Sequence, residues 1–377
     1  MIRNIERVSV YYHGKHVGTL QQTAEKVCAF QYSSEWLLHG FSISPFSLPL
    51  EPRVFLASAE PFQGLFGVFD DSLPDGWGRM LMDRMLRKNG LTPSSVSPLT
   101  RLSIIGATGK GALEYIPDQS SNNEESIQDM DNLCRACQDI YDARSDASLD
   151  QIYQAGGSSG GARPKVYWKA KDGTEWLVKF PCSSDSIRES GETEYRYMRC
   201  AEKCGIRIPE INLLDSSLCS GYFASKRFDR NGNEKVHMIS AAGLLECSFR
   251  LPCLDYEGLI RLTGILTHQN AEDLEQIYRV MCFNFAVHNT DDHARNFSFL
   301  YKEDTGWELA PAYDLTYANA YGEEHMTALF GEGAHPDDKA YLKAAKLAGI
   351  NKTQAVSILN DIKNKGQELK INSVRLP

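Results

Sequence analysis

Asp291, Asn296 and Asp314 carry the chemistry that spacing alone can announce, in the stretches His288-Asn-Thr-Asp-Asp-His-Ala-Arg-Asn-Phe-Ser-Phe-Leu300 and Leu309-Ala-Pro-Ala-Tyr-Asp-Leu315. A carboxylate, an amide five residues later, a short apolar strand and a second carboxylate form an arrangement suited to phosphoryl transfer. Asp291 would receive or orient the attacking hydroxyl, while Asn296 and Asp314 would hold Mg²⁺ against nucleotide phosphates. Magnesium takes hard oxygen ligands and keeps positions open for phosphate, so one amide and one carboxylate suffice. A polar loop followed by a turn is the structural alternative, because Asp and Asn are common there. Between Asp291 and Asn296 lie His293, which would either coordinate a metal or, more modestly, fix the loop by hydrogen bonding, and Arg295, which would either offset transferred-phosphate charge or sit on the surface.

Upstream residues supply the other half of such a site. Gly156-Gly-Ser-Ser-Gly-Gly-Ala-Arg-Pro-Lys165 is either a flexible connector or a phosphate-facing loop, with Gly160 and Gly161 letting the backbone approach an anion and Lys165 adding charge. It is not a Walker loop. Lys179 sits inside the strand-like Trp176-Leu-Val-Lys-Phe180. It is either a phosphate-gripping lysine, fixed by Glu194 or Glu192 of the next helix with Glu194 preferred, or a solvated lysine on a two-sided strand. Tyr222–Arg230 is expected to join two lobes, presenting backbone to adenine, Phe228 to its face and Asp229 to the ribose, or else to be an ordinary edge strand.

The elements that must position these residues follow from pattern. Val8, Val10 and Tyr12 alternate before the His13-Gly14 turn, which reads as a hairpin, and strands follow at Cys28–Tyr32 and Val54–Leu56. A helix is expected over Arg79–Lys88, then a glycine-rich run, Ile105–Leu113. Residues 1–117 are expected to form a small α+β subdomain, 118–150 a polar linker (Gln119–Asp131, at its start) followed by short helices, and 151–377 a core. The glycine loop leads into two strands around the Asp172-Gly173 turn and a helix over Glu192–Cys204. Strands at Ile211–Leu214 and Gly221–Phe228 precede helices at Leu259–Leu266, Ile277–Val287, Asp338–Leu347 and Lys352–Lys363. The fold class is therefore α+β and bilobal, like a protein kinase, with nucleotide bound between a β-rich and a helical lobe.

Composition narrows the partners. At 377 residues the chain exceeds what one core usually serves, and a net charge of −9 argues against broad nucleic-acid binding. No apolar run is long enough to cross a bilayer, and the N-terminus lacks a signal-peptide core, so a cytoplasmic location without membrane is expected. The ten cysteines are scattered and read as reduced thiols. Cys134/Cys137 and Cys200/Cys204 are expected to be buried or incidental thiols, and no metal-ligand cysteine is assigned.

Thr290-Asp-Asp-His-Ala-Arg-Asn-Phe-Ser298, Pro311-Ala-Tyr-Asp314 and Arg227-Phe-Asp-Arg230 together resemble the HipA family, the kinase toxins of bacterial type II toxin–antitoxin modules. Gly14–Leu20, Leu73-Pro-Asp-Gly76 and Gly106–Leu113 are similar to its N-terminal subdomain. The resemblance implies an ATP- and Mg²⁺-dependent serine/threonine protein kinase. Asp291 would be the catalytic base, Asn296 and Asp314 the magnesium ligands, Lys179 the phosphate grip, and Lys226, Phe228 and Asp229 the nucleotide pocket. It also implies autophosphorylation of a loop serine, Ser158 with Ser159 as neighbour, that ejects the loop and stops catalysis. Its implied partners are a small helix-turn-helix antitoxin (HipB-like), a translation-related substrate such as an aminoacyl-tRNA synthetase, and DNA only through the antitoxin. Asp292 departs from the glycine or arginine usual there and is expected to add negative charge beside Asp291. Two other functions keep the same residues: a small-molecule phosphotransferase, and a non-catalytic nucleotide-binding co-repressor.

Overall fold

The structure, a computed structural model, describes residues 2–120, 129–182, 190–318 and 323–373. Residues 121–128, the middle of the expected Gln119–Asp131 linker stretch, lie outside the described residues. The chain divides into two compact units: Met1–Gly191 with Asn212–Ile239 and Gly243–Glu246, and Glu192–Ile211 with Ser240–Ala242 and Cys247–Pro377. Tyr222–Arg230 therefore lies within the first unit instead of joining the two.

Among the described residues the first unit holds two larger sheets, besides a short pairing of Arg230–Asn231 with Glu234–Lys235. One runs β4-β3-β2-β1-β5, from β1 (Arg7–Tyr12), β2 (Lys15–Gln22), β3 (Cys28–Tyr32), β4 (Val54–Leu56) and β5 (Leu113–Ile116). The period-2 pattern of β1 is realised, with Val8, Val10 and Tyr12 buried together with Leu20, Phe30 and Tyr32 of its neighbours. The second sheet runs β6-β7-β9-β8, from β6 (Lys165–Lys169), β7 (Glu175–Lys179), β8 (Ile211–Leu214) and β9 (Tyr222–Lys226). One of its faces buries Val166, Val178 and Ala224, which pair directly across β6, β7 and β9. The opposite face carries Lys165, Tyr167, Leu177 and Lys179. The expected 79–88 helix starts earlier, at Gly76, where the Asp75 N-cap position follows Pro74.

His237 is enclosed in this unit. Its Nε2 donates to the Ile43 carbonyl at 2.8 Å, and burial pushes its pKa down to about 4. The unfolded chain takes up this proton near pH 6.5 while the folded chain resists until about pH 4. Stability is therefore full above pH ~6.5 and declines by up to about 3 kcal/mol as pH falls through that window. Denaturant titrations at several pH values should show this slope in the wild type and lose it in His237→Phe; identical slopes would refute the assignment.

The second unit is mainly helical. Asp255 caps the Tyr256–Leu266 helix, Asn270 caps Ala271–Val287 and Asp337 caps Asp338–Leu347, each side chain accepting a first-turn amide. The last helix, Lys352–Ser373, runs ten residues past the expected Lys363 end. Gly366 does not stop it, because this glycine packs against Ala286 and Val287 of the central helix. Ser298–Lys302 and Gly306–Leu309 form an antiparallel hairpin in register Phe299 with Leu309.

Candidate functional site

The hairpin explains how a distant pair of residues becomes a site. Asn296 lies just before its first strand and Asp314 just after its second, so antiparallel pairing returns both to the same open end. The Tyr313 hydroxyl ties that end, donating to the Arg295 carbonyl at 2.6 Å and accepting from Ser298 Oγ at 2.6 Å. The Ala312 amide donates to the Arg207 carbonyl at 2.8 Å, and the Arg207 guanidinium is held in turn by Asp273 and the Leu309 carbonyl. Asp314 has φ +55°, the left-handed region that side chains with a β-carbon visit rarely. Asn289 supports that strained residue by donating Nδ2 to its carbonyl at 3.2 Å.

Asp291 follows from the end of the central helix. His288 closes the helix in the left-handed conformation, φ +60°, and the Asn289 amide returns to the Asn284 carbonyl. Thr290 is buried, with Oγ1 donating to the Ala318 carbonyl at 2.9 Å, and the next residue, Asp291, emerges exposed. Asn296 donates Nδ2 to the Asp291 carbonyl at 2.7 Å, which fixes its amide and turns Oδ1 the other way. An oriented amide oxygen and a carboxylate at one end of a hairpin fit the hard-oxygen chemistry of Mg²⁺. Among the described residues no three His, Cys, Asp or Glu side chains gather as a metal cluster, which sets this donor set apart from a zinc site.

Asp292 corrects the sequence-based expectation of extra charge beside Asp291. Its side chain is wholly buried and accepts from the Tyr256 hydroxyl at 2.7 Å, His325 Nδ1 at 2.9 Å and the Thr327 amide at 3.1 Å. Successive residues of this extended segment point to opposite sides, so Asp291 faces solvent and Asp292 the interior. Burial and the neighbouring carboxylate hold the Tyr256 phenol well above its usual pKa. Asn284 extends the network, donating to Tyr256 Oη at 2.9 Å and accepting from Asn289 at 3.0 Å. Hydrogen bonds thus run from the Asp314 carbonyl to the residue after Asp291. A cavity of about 20 Å³, room for roughly one water, is lined by Asn284, Asn289, Asp292 and Asn296. Asp292→Ala strands three buried polar groups and should lower stability by about 3 kcal/mol. A thermal melt within about 1 kcal/mol of wild type would contradict that role.

His293 and Arg295 are packed inward. Arg295 is 8% exposed, with its guanidinium 4.0 Å over the Phe249 ring, so it is not a surface arginine. His293 meets the same ring edge-on at 5.6 Å. Glu194 is buried on the Ser190–Lys203 helix.

The first unit gathers its own set. Lys165 and Lys179 are direct partners across β6 and β7, which places two ammonium-bearing side chains on one face. Lys165 is buried with its ammonium beside Gly161, whose φ of +85° lies in the left-handed region that favours glycine. Lys179 also lies over the Phe223 ring at 5.6 Å. Lys226 is exposed on the opposite sheet face from Lys179, and Phe228 follows it half-buried. Asp229 is buried in an ion cluster. Arg227 grips it with two hydrogen bonds, of 3.0 and 2.8 Å, and Arg230 Nη1 and the Gly111 amide add two more. Its carboxylate thus anchors Gly111 of the glycine-rich run, where the sequence pointed to a ribose.

The glycine loop is docked against residues 73–78 and Thr108. Ser158 Oγ donates to the Thr108 carbonyl at 3.0 Å and Ser159 Oγ to the Gly156 carbonyl at 2.6 Å, both serines buried. The Asp75 carboxylate accepts the Gly161 amide, one of those expected to face phosphate. Trp77 donates its amide to the Gly161 carbonyl at 2.9 Å and Nε1 to the Lys165 carbonyl at 3.0 Å. Asp75, Trp77, Tyr256, Asn284 and Asn289 were not legible as site residues. A faint signal existed for Asn284, an amide inside the apolar run Cys282–Val287 that must find a partner when buried.

Residues 157–369 match the family described as HipA-like C-terminal domain, and residues 8–116 that described as HipA N-terminal domain. A Sinorhizobium fredii protein named "Putative kinase Y4dM" is 24% identical over 328 residues, covering 80% of this chain and 75% of the relative. A second from that organism, "Putative kinase Y4mE", is 26% identical over 384 residues, covering 91% and 86%. The fold is also that of HipA in the Shewanella oneidensis MR-1 complex of HipA, HipB and operator DNA, with a TM-score of 0.70 at 18% identity, over 98% of this chain and 91% of that one. No helix among the described residues is long and apolar enough to cross a membrane.

Proposed function

Because the chain belongs to the HipA family, we propose that it is an ATP- and Mg²⁺-dependent serine/threonine protein kinase, the toxin of a toxin–antitoxin pair. The observation that carries this reading is the single hairpin end that holds Asn296 and Asp314 while Asn296 binds the Asp291 backbone. Asp291 takes the proton of the incoming hydroxyl as its oxygen bonds to the γ-phosphorus and the bond to the ADP oxygen breaks. Asn296 and Asp314 would hold Mg²⁺, whose charge would offset that of the phosphates. In the first unit Lys179 and Lys165 are the phosphate-gripping cations, beside Gly160 and Gly161, and Glu194 is the carboxylate assigned to the lysine grip. Lys226 and Phe228 serve the nucleotide base through backbone and ring. Asp229 acts by holding the Gly109–Gly111 run. His293 and Arg295 position the catalytic loop through Phe249.

Ser158 is the autophosphorylation site, with Ser159 second. Both hydroxyls are engaged in the docked loop, so phosphorylation requires the loop to leave its dock. A small HipB-like helix-turn-helix antitoxin is the partner, bringing DNA only indirectly, and a translation protein such as an aminoacyl-tRNA synthetase is the substrate. The test is phosphatase-treated protein incubated with labelled ATP and Mg²⁺, followed by mass spectrometry of residues 156–165 and of added host proteins. Label on Ser158 or Ser159 and on a protein substrate is the expected result. Label on added metabolites and never on protein would transfer the reading to a small-molecule phosphotransferase.

A further inference from the structure

Cys247 and Cys253 lie in one loop of the second unit with their sulfurs 2.8 Å apart, Cys253 exposed and Cys247 half-buried. Of the other eight cysteines seven are buried, so this pair is the accessible one. Between the two stands Phe249, the ring that carries Arg295 at 4.0 Å and meets His293 at 5.6 Å. His293 immediately precedes the Ala294–Asn296 turn and Arg295 lies within it. We propose that Cys247 and Cys253 are a reversible disulfide site for low-molecular-weight disulfides, and that the closed pair clamps Phe249 on the 291–296 loop and rigidifies it. The proposal rests on the kinase reading only in naming that loop catalytic.

The exchange balances without any further reactant. The Cys253 thiolate attacks one sulfur of a glutathione disulfide and expels a glutathione thiolate. The Cys247 thiolate then attacks the Cys253 sulfur of the mixed disulfide and expels the second. The two protons leave the protein thiols for the released glutathione, so two protein thiols and one small disulfide become one protein disulfide and two small thiols. A disulfide needs the sulfurs at about 2.05 Å, within about 1 Å of their present separation. Only residues 248–252 are enclosed, so closure restricts the unfolded chain little. Such a bond is exposed and weakly stabilised, the profile of a regulatory disulfide in a reducing compartment.

The test treats the full chain with glutathione disulfide and reads the product twice. Trypsin cuts between Arg250 and Leu251, so the disulfide leaves peptides 236–250 and 251–261 joined until dithiothreitol separates them. Hydrogen exchange of residues 291–297 should slow at least about threefold in the oxidised protein, and not in treated Cys253→Ser or Phe249→Leu. A persistent glutathione adduct on Cys253 without cross-linked peptides overturns the site. A cross-link that leaves 291–297 exchange unchanged overturns the clamp. Neither readout uses phosphate transfer, so a failure of the kinase reading is seen separately.

Discussion

Replacing Asp291 by asparagine lowers phosphate transfer from ATP by about 10³-fold, the scale of a positioned general base. The substitution keeps size and shape and changes one atom of an exposed side chain. Asn296 reaches residue 291 through the backbone carbonyl, which the substitution leaves in place, so the loop keeps its geometry. Asp292 and Thr290 continue to anchor both flanks through Tyr256, Thr327 and Ala318. On the proposed reading, what disappears is the acceptor for the hydroxyl proton and a negative charge beside the attacking oxygen. The proposed nucleotide contacts lie at other residues, so ATP affinity by calorimetry should stay within about threefold. Transfer within tenfold of wild type would remove Asp291 from the catalytic role. Loss of transfer together with loss of ATP binding would mean that the loop had collapsed.

Replacing Arg227 by methionine lowers global stability by about 3 kcal/mol, the lower end for breaking a buried ion pair, because Asp229 keeps Arg230 and the Gly111 amide. Arg227 and Asp229 side chains are each 6% exposed, and the guanidinium also stacks 4.1 Å over Tyr167 and approaches Glu175 at 3.2 Å. Burial alone would raise the Asp229 pKa, but Arg227, Arg230 and the Gly111 amide outweigh it and hold the carboxyl well below its usual range. A depressed carboxyl stabilises the fold above its unfolded pKa near 4 and loses that contribution as pH falls through the depressed value. Arg227→Met should therefore be most costly at neutral pH and lose its effect only in strong acid. The double variant Arg227→Met, Asp229→Leu should be less damaged than Arg227→Met alone, since it leaves no buried charge uncompensated. Chemical denaturation measures both; equal losses in the two variants would deny the coupling.

The elements were largely legible because their signals are local. Val8, Val10 and Tyr12 alternate in a strand with one buried face, and the glycine after Cys204 closes the helix that carries Glu194. The order Asp291, Asn296, Asp314 was legible because one short hairpin links the last two. The supports were not legible, since hydrogen bonding across many residues of chain leaves no period in the sequence. Asp75 meets Gly161, and Asp229 meets Gly111, across 86 and 118 residues. Asp292 misled for a related reason: adjacent carboxylates look alike in sequence, and only the direction of the backbone separates the solvent-facing Asp291 from the buried anchor Asp292.

The dock beneath the glycine loop has a consequence for inheritance. Asp75 and Trp77 contact Gly161 and Lys165, and a β-carbon at Gly78 would fall 2.4 Å from the Ser159 carbonyl. The stretch around residue 76 and the stretch around residue 160 are thus two halves of one fitted surface. Exchange of an N-terminal segment between diverged relatives would join halves that had drifted apart, so the two stretches must be inherited as one block.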